Sequence, residues 1–294
     1  MRFFTIIGCA LATVGALTAS QKQANAGVIF GTTAAGSLGH LYTINSATGA
    51  MAGDIGATND AIGTNYPITG LAFHPTTGVL FGSTGNSVTA TAATLVTIDP
   101  ATALVTVIGT FDAGPVNSSG VPSTMTDLAF DPTGNLYGVG SIGGPQLYSI
   151  NPLTGKATVV GASGLTGTSG GALAIDGAGT IYGSPTSTRF GTYNATSGVF
   201  TNIANPVEPT GGGAWAALDF DENGVLYGLN IGSGSPPATA LATFNKTTGV
   251  VTNIGSSLSS LDAIAIMVPE PGSAGVMLIG GAAALTLRSR RRTR

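Results

Sequence analysis

The sequence predicts an all-β protein whose central part is a β-propeller of five four-stranded blades. Glycine, threonine, serine and small apolar residues dominate, with 46 glycines among 294 residues and 8% charged residues, a composition typical of short strands and tight turns. A strand–turn–strand motif recurs four times, and a second such motif follows each copy. The two ends of the repeat region each supply part of a fifth blade.

The repeats define the strands. The first motif begins at Leu71, Leu128, Leu173 and Leu218, where it reads LAFHPTTGVLFG, LAFDPTGNLYG, LAIDGAGTIYG and LDFDENGVLYG. The second motif, of the form LVTIDPATALVTVIG, begins at Leu95, Leu147, Phe190 and Leu241. Each motif predicts two strands around a turn, because Asn or Asp followed by Gly suits tight turns. One repeat is therefore four antiparallel strands, the typical unit of a propeller blade.

Closure of the ring follows from the two ends of this region. The segment after Gly27 matches the later strands of a blade and lacks the innermost one, whereas LDAIAIM, from Leu261 to Met267, matches only the innermost strand. Pairing of these ends completes a fifth blade and removes a free sheet edge. The predicted propeller therefore spans residues 27–267.

The first 26 residues read as a cleavable signal peptide. Arg2 precedes an apolar stretch, and Ala24 and Ala26 form the small-x-small pattern before a cleavage site at Gly27. A rival interpretation, a lipobox at Cys9, has too short an apolar stretch ahead of it. Because Cys9 is the only cysteine, the processed chain has no disulfide, thiolate nucleophile or thiolate metal site.

Residues 268–294 read as a sorting tail. Val268-Pro269-Glu270-Pro271 precedes a short apolar stretch that predicts a marginal transmembrane helix, and the chain ends in arginines. These basic residues are Arg288, Arg290, Arg291, Arg292 and Arg294. The order and spacing resemble the PEP-CTERM signal of Gram-negative bacteria. The resemblance implies transient anchoring in the inner membrane, recognition by an exosortase after signal peptidase has acted, and delivery to the envelope, outer surface or extracellular matrix.

The body itself is acidic. Its only basic side chains are Lys156, Arg189 and Lys246, so it lacks the clustered cations that bind nucleic acid. The repeats resemble those of secreted bacterial propellers of the NHL and YVTN kind across residues 27–267. That resemblance implies the architecture and does not select one activity.

The loops opposite the uniform first-motif turns vary in length and content, so we expect them to form a ligand-binding face. The candidate residues there are Asp60, Tyr66, Asp112, Asn117, Arg189, Glu208, Trp215 and His40. Trp215 follows three glycines, and its ring would stack on a sugar at the pore mouth; packing between blades is the alternative. A solvated loop carboxylate is the alternative for Glu208.

Carboxylates on the innermost strands form a second group of candidates. Asp219 replaces an alanine of the other repeats, so it must be paired, metal-bound or in contact with channel water. It is the only firm candidate for a catalytic residue, and with Asp127 and Asp262 it could hold Ca²⁺. Asp131, Asp176 and Asp221 recur with the turns and are predicted to be structural. No sequence motif predicts any other cofactor.

Three functions are compatible with these features. The first is a non-enzymatic exported module that binds polysaccharide or another envelope component. The second is an extracellular polysaccharide hydrolase, lyase or lactonase that uses channel carboxylates. The third is a purely structural surface protein. Few imidazoles and no nucleophile elbow or nucleotide-binding loop are present, which favours a protein without catalytic activity.

Overall fold

The computed structural model describes residues 27–34, 38–85, 89–112, 124–140, 144–166, 171–210 and 212–268. These residues form five antiparallel sheets of four strands each. The innermost strand of each sheet contacts the innermost strand of the next, and the last contacts the first. The predicted five-bladed propeller is therefore confirmed.

Each blade runs from an innermost to an outermost strand. Blade 1 contains β20 (Leu261–Met267), β1 (Val28–Thr33), β2 (His40–Ile44) and β3 (Met51–Ala57). Blade 2 contains β4 (Ile68–Phe73), β5 (Leu80–Thr84), β6 (Thr94–Ile98) and β7 (Val105–Thr110). Blade 3 contains β8 (Met125–Phe130), β9 (Leu136–Gly140), β10 (Gln146–Ile150) and β11 (Ala157–Gly161). Blade 4 contains β12 (Ala172–Ile175), β13 (Ile181–Thr186), β14 (Arg189–Tyr193) and β15 (Phe200–Ala204). Blade 5 contains β16 (Ala214–Phe220), β17 (Leu226–Gly234), β18 (Pro237–Phe244) and β19 (Val251–Ser256).

The ring closes where the sequence predicts. β20 pairs with β1 in antiparallel register, with Ile266 opposite Ile29 and Ile264 opposite Gly31. Side chains of both strands join those of blade 5 in one buried cluster, which contains Ile29, Ile264 and Leu229. The closing strand is therefore held by sheet hydrogen bonds and by burial against the preceding blade.

A second contact joins neighbouring blades at their outer edges. The turn between the third and fourth strands of one blade lies against the fourth strand of the preceding blade. A Cβ at Gly161 in β11 would lie 2.1 Å from the carbonyl oxygen of Ser197 in the next blade, and one at Gly255 in β19 would lie 2.3 Å from that of Thr48. The glycine that ends most copies of the second motif is therefore needed for close approach of two backbones.

β20 ends at Met267, the residue at which the propeller was expected to end, and Val268 is 49% exposed. The predicted signal peptide and the rest of the predicted sorting tail, including its expected helix, lie outside the described residues. Within the described part of the chain, no helix is long and apolar enough to cross a membrane.

Candidate functional site

A buried carboxylate ties three blades together at the axis. Asp127 in β8 is 0% exposed. Its Oδ2 accepts hydrogen bonds from the backbone amides of Leu173 in β12 (2.8 Å) and Leu218 in β16 (3.1 Å). Its Oδ1 accepts the amide of Leu128 at 2.9 Å. Innermost strands have a free edge towards the axis, and this side chain supplies acceptors for amides that would otherwise be buried without partners.

Asp219 does the same between blades 5 and 1, closer to the solvent. Its Oδ2 accepts the amide of Ile266 in β20 at 2.7 Å, and its Oδ1 accepts that of Phe220 at 2.8 Å. Burial raises the pKa of Asp219 to about 7, against the lowering effect of these two hydrogen bonds. Of the three alternatives for this carboxylate, namely pairing, a metal or channel water, the structure gives partners in the form of backbone amides.

Asp262 lies at a level of the axis different from that of Asp127 and Asp219. It is aligned with Thr69 and Thr126, whose hydroxyls donate to the carbonyl oxygens of Met125 and Gly171 on the next innermost strand, both at 2.9 Å. Asp262 makes no hydrogen bond with any other described residue, and burial raises its pKa to about 7.

The predicted calcium cluster of Asp127, Asp219 and Asp262 does not form. No group of three acidic, histidine or cysteine residues that could hold a metal ion occurs among the described residues. Two physical reasons account for this. Backbone amides occupy the oxygens of Asp127 and Asp219, and Asp262 lies near the start of β20, away from the level of Asp219.

A cavity of about 310 Å³ opens at the end of the axis where the first-motif turns lie. We call it the axial funnel. Asp219 reaches its floor, and the ends of the innermost strands and the turns after them form its wall. The aromatic and aliphatic lining comprises Phe73, Phe130, Ile175, Phe220 and Ile266, and the polar lining comprises His74, Asp131, Asp176, Asp219, Asp221 and Glu222. Asp127 is 0% exposed and does not line the funnel.

The carboxylates at the funnel rim hold their own turns. Asp131 Oδ1 accepts the amides of Thr133 and Asn135, each at 2.9 Å. Asp176 and Asp221 accept the equivalent amides of their turns at 2.8–3.0 Å. Although burial acts to raise it, these bonds hold the pKa of Asp131 below its usual value. The prediction that the three residues are structural is confirmed.

One rim carboxylate has a basic partner. Lys246, from the turn between β18 and β19, places Nζ 2.9 Å from Asp176 Oδ2. That hydrogen bond raises the pKa of Lys246. Burial acts to raise the pKa of Asp176, but the hydrogen bonds from Lys246 and from the turn amides outweigh it, so the pKa of Asp176 lies below its usual value. The ammonium also lies 5.6 Å from the centre of the Phe220 ring and 5.8 Å from that of Tyr182.

The predicted loop face brings together only two of its candidates. The Tyr66 hydroxyl donates to Asp60 Oδ2 at 3.2 Å, and Asp60 Oδ1 accepts the amides of Ile62 and Thr64. Tyr66 is 7% exposed, so most of its ring is packed and unavailable to a ligand. Asp60 therefore organises its own loop between blades 1 and 2.

The other candidates on that face lie on separate blades. Asp112 follows β7 and accepts the hydroxyl of Thr110 at 2.7 Å. Arg189 is exposed at the start of β14, and Glu208 is half-buried between blades 4 and 5. His40 in β2 places Nδ1 3.0 Å from Asp54. Asn117 lies outside the described residues.

The display of Trp215 at the pore mouth is wrong. Trp215 is 0% exposed and packs edge-to-face on Phe244, with ring centres 4.5 Å apart. It lies within the buried cluster that joins blades 4 and 5. An indole has a large apolar surface, which favours burial. The alternative interpretation, packing of Trp215 between blades, is therefore the one that the structure supports.

The residues that sequence reasoning missed are the funnel walls. The varied loops predict a binding face on the opposite side of the propeller, whereas this cavity lies among the uniform turns. The signal that could have located it is the LAF motif itself, because the residue after its alanine recurs once per blade at the axis. Phe73, Phe130 and Phe220 occupy that place.

Fold and site together define a β-propeller with a funnel on its axis that is lined by acidic and aromatic residues. A family model described as a repeat of unknown function, DUF6923, matches residues 54–263, and the chain belongs to that family. A search of curated proteins finds no match.

Solved structures resemble the chain only distantly. TolB from Acinetobacter baumannii is 13% identical with a TM-score of 0.42, over 79% of this chain and 52% of TolB, so the chain spans about half of that protein. A gluconolactonase from Xanthomonas campestris is 13% identical with a TM-score of 0.48, over 81% and 79%. The PQQ-bound aldose sugar dehydrogenase from Streptomyces coelicolor is 14% identical with a TM-score of 0.42, over 67% and 71%. These likenesses carry no argument about activity.

Proposed function

We propose that the protein is an exported binding module that reaches the envelope or extracellular matrix through its PEP-CTERM tail. Signal peptidase and an exosortase process the two ends, and the propeller then binds polysaccharide or another envelope component without chemical turnover. The observation that carries the binding role is the axial funnel, whose volume of about 310 Å³ falls at the lower end of small-ligand pockets.

The composition of the funnel suits a saccharide. Phe73 is only partly buried and offers an apolar surface to the C–H face of a sugar, while the rim carboxylates accept hydrogen bonds from its hydroxyls. Phe130 and Phe220, at 9% and 8% exposure, complete the wall with little of their rings. The turn amides already fix the orientation of those carboxylates, so little side-chain freedom is lost on binding.

The sorting role rests on the chain ends. β20 completes the fold at Met267, and the half-exposed Val268 lies at the funnel rim. Cleavage near Pro269 would therefore leave every strand of the propeller in place.

The binding role is tested with the isolated extracellular polysaccharide of a host that carries an exosortase. We expect saturable binding by calorimetry, and Phe73→Ala should weaken it by about tenfold because a ring leaves the funnel wall. Ile62→Ala is the matched control, since Ile62 is 89% exposed on the opposite loop face. Absence of binding to every polysaccharide fraction would contradict the proposal.

The sorting role is tested in the same host by mass spectrometry of the C-terminus and by cell fractionation. An intact tail on protein from the outer surface would contradict exosortase processing.

A second candidate function is favoured by Asp219. A carboxyl group with a pKa of about 7 at the floor of a cavity is suited to general acid or base catalysis, as in a polysaccharide hydrolase, lyase or lactonase. Turnover of matrix polymers by the wild-type protein, abolished in Asp219→Asn with retained binding, would favour this candidate over the binding module.

A further inference from the structure

Two rim carboxylates of the axial funnel have the same burial and different partners. Asp176 is 8% exposed and Asp221 is 7% exposed. Asp176 is paired with the Lys246 ammonium at 2.9 Å, whereas no basic side chain pairs with Asp221 among the described residues. Buried carboxylates are normally paired, so Asp221 has the environment of an ion-pair member without its counter-ion.

The hydrogen bonds of Asp221 leave one oxygen available. Its Oδ1 accepts the amides of Asn223 and Val225 at 2.9 and 2.8 Å. Among the described residues, its Oδ2 has only the side-chain amide of Asn223, at 3.5 Å, which is too long for a strong bond. Asp221 lines the funnel, so a bound ligand would lie next to this carboxylate.

The chain itself shows how this wall receives an ammonium. Lys246 Nζ is held by the Asp176 carboxylate and lies beside the Phe220 and Tyr182 rings. The residues aligned with Lys246 in the other four blades carry no charge; they are Ser46, Pro100, Pro152 and Ala195. The other rim carboxylates therefore lack the internal cation that Asp176 has.

The charge of the whole lining agrees with this pattern. Five carboxylates line the funnel, and no lysine or arginine does. Asp176 is paired with Lys246 and burial raises the pKa of Asp219 to about 7, so the other three carboxylates supply most of the field that concentrates cations.

We propose that the natural ligand of the axial funnel is a saccharide that carries a free ammonium group, that is, an amino sugar without its N-acyl group. This inference rests on the proposed binding function and specifies the ligand. The ammonium binds Asp221 Oδ2, as Lys246 binds Asp176, and the sugar ring packs against Phe73, the least buried phenylalanine of the funnel wall.

The probes are a glucosamine tetramer and its fully N-acetylated counterpart, which share length and linkage and differ in charge. Calorimetric titration of the full chain at about 50 mM salt should give at least about tenfold tighter binding of the glucosamine tetramer, and the advantage should shrink as salt rises. Equal or tighter binding of the acetylated tetramer would overturn the inference.

Asp221→Asn removes the charge and keeps an amide oxygen that can accept the turn amides, as Asn245 Oδ1 accepts the amides of Thr247 and Thr248 in its own turn. We expect this variant to lose the preference for the glucosamine tetramer. Asp99→Asn is the matched control, since Asp99 Oδ1 caps a similar turn far from the funnel, and it should bind as the wild type does. Unchanged preference in Asp221→Asn, with the fold verified by circular dichroism, would also overturn the inference.

The two proposals fail in different ways. If the acetylated tetramer or native polysaccharide binds and Phe73→Ala weakens that binding, the binding function stands and the ammonium assignment is wrong. If neither tetramer nor any native polysaccharide binds, both are wrong.

Discussion

Replacement of Asp127 by alanine should destabilise the propeller without affecting ligand binding. The carboxylate is 0% exposed and accepts amides of Leu173 and Leu218, which belong to two other blades. Alanine removes the acceptor of these two amides and of the Leu128 amide, at about 1–3 kcal/mol for each amide left buried without a partner. Burial raises the pKa of Asp127 well above its usual range, which means that a charged carboxylate is unfavourable at this position. Removal of the carboxyl group relieves that unfavourable burial and offsets part of the cost of the lost hydrogen bonds.

The expected net loss in the free energy of unfolding is therefore about 2–4 kcal/mol for Asp127→Ala. Asp127→Asn keeps one acceptor oxygen and should lose about half as much. Urea unfolding followed by the fluorescence of Trp215 measures both. Asp112→Asn is the control, because Asp112 is exposed and Asn tolerates its positive φ of 46°; it should change stability by less than about 0.5 kcal/mol.

A loss below about 0.5 kcal/mol in Asp127→Ala would refute this reasoning. So would a loss of funnel binding in a variant of unchanged stability, because Asp127 would then act in a site.

Three further predictions concern packing, pH and exposure. Gly161→Ala should lower the free energy of unfolding by about 1–3 kcal/mol, because the new Cβ would lie 2.1 Å from the carbonyl oxygen of Ser197. Gly177→Ala is the control, because a Cβ there has no atom within 4 Å, and it should leave the free energy of unfolding unchanged in the same urea experiment. The folded-state pKa of Asp262, about 7, exceeds its unfolded value, so ionisation of Asp262 destabilises the fold as pH rises from about 4 to 7. Asp262→Asn should therefore raise the free energy of unfolding by about 1–3 kcal/mol at pH 8 and leave it unchanged at pH 4. Equal effects at the two pH values would contradict this assignment. Trp215 fluorescence should be blue-shifted and insensitive to acrylamide and to funnel ligands until urea unfolds the protein; quenching in the folded state would place the ring at the surface.

The sequence predicts the propeller well because the signals for it are local and repeated. Alternating strands and Asn/Asp–Gly turns specify each blade, and the incomplete motifs at Gly27 and Leu261 specify how the ring closes. The register of β1 with β20 agrees with that closure. Asp219 stands out because a charge replaces the alanine of the other repeats.

The site is predicted less well because its contacts are long-range. Asp127 reaches amides 46 and 91 residues further along the chain, and no local pattern encodes such pairs. Three glycines before Trp215 suggest an exposed ring, yet tertiary packing buries it. The funnel walls come from different repeats and meet only when the ring closes.

A crystal structure of the protein with the glucosamine tetramer tests the central claim most directly. We predict one sugar in the axial funnel, with its ammonium nitrogen within about 3 Å of an Asp221 carboxylate oxygen. A tetramer bound instead on the opposite loop face, against Asp60 or Arg189, would contradict the assignment of the funnel as the binding site.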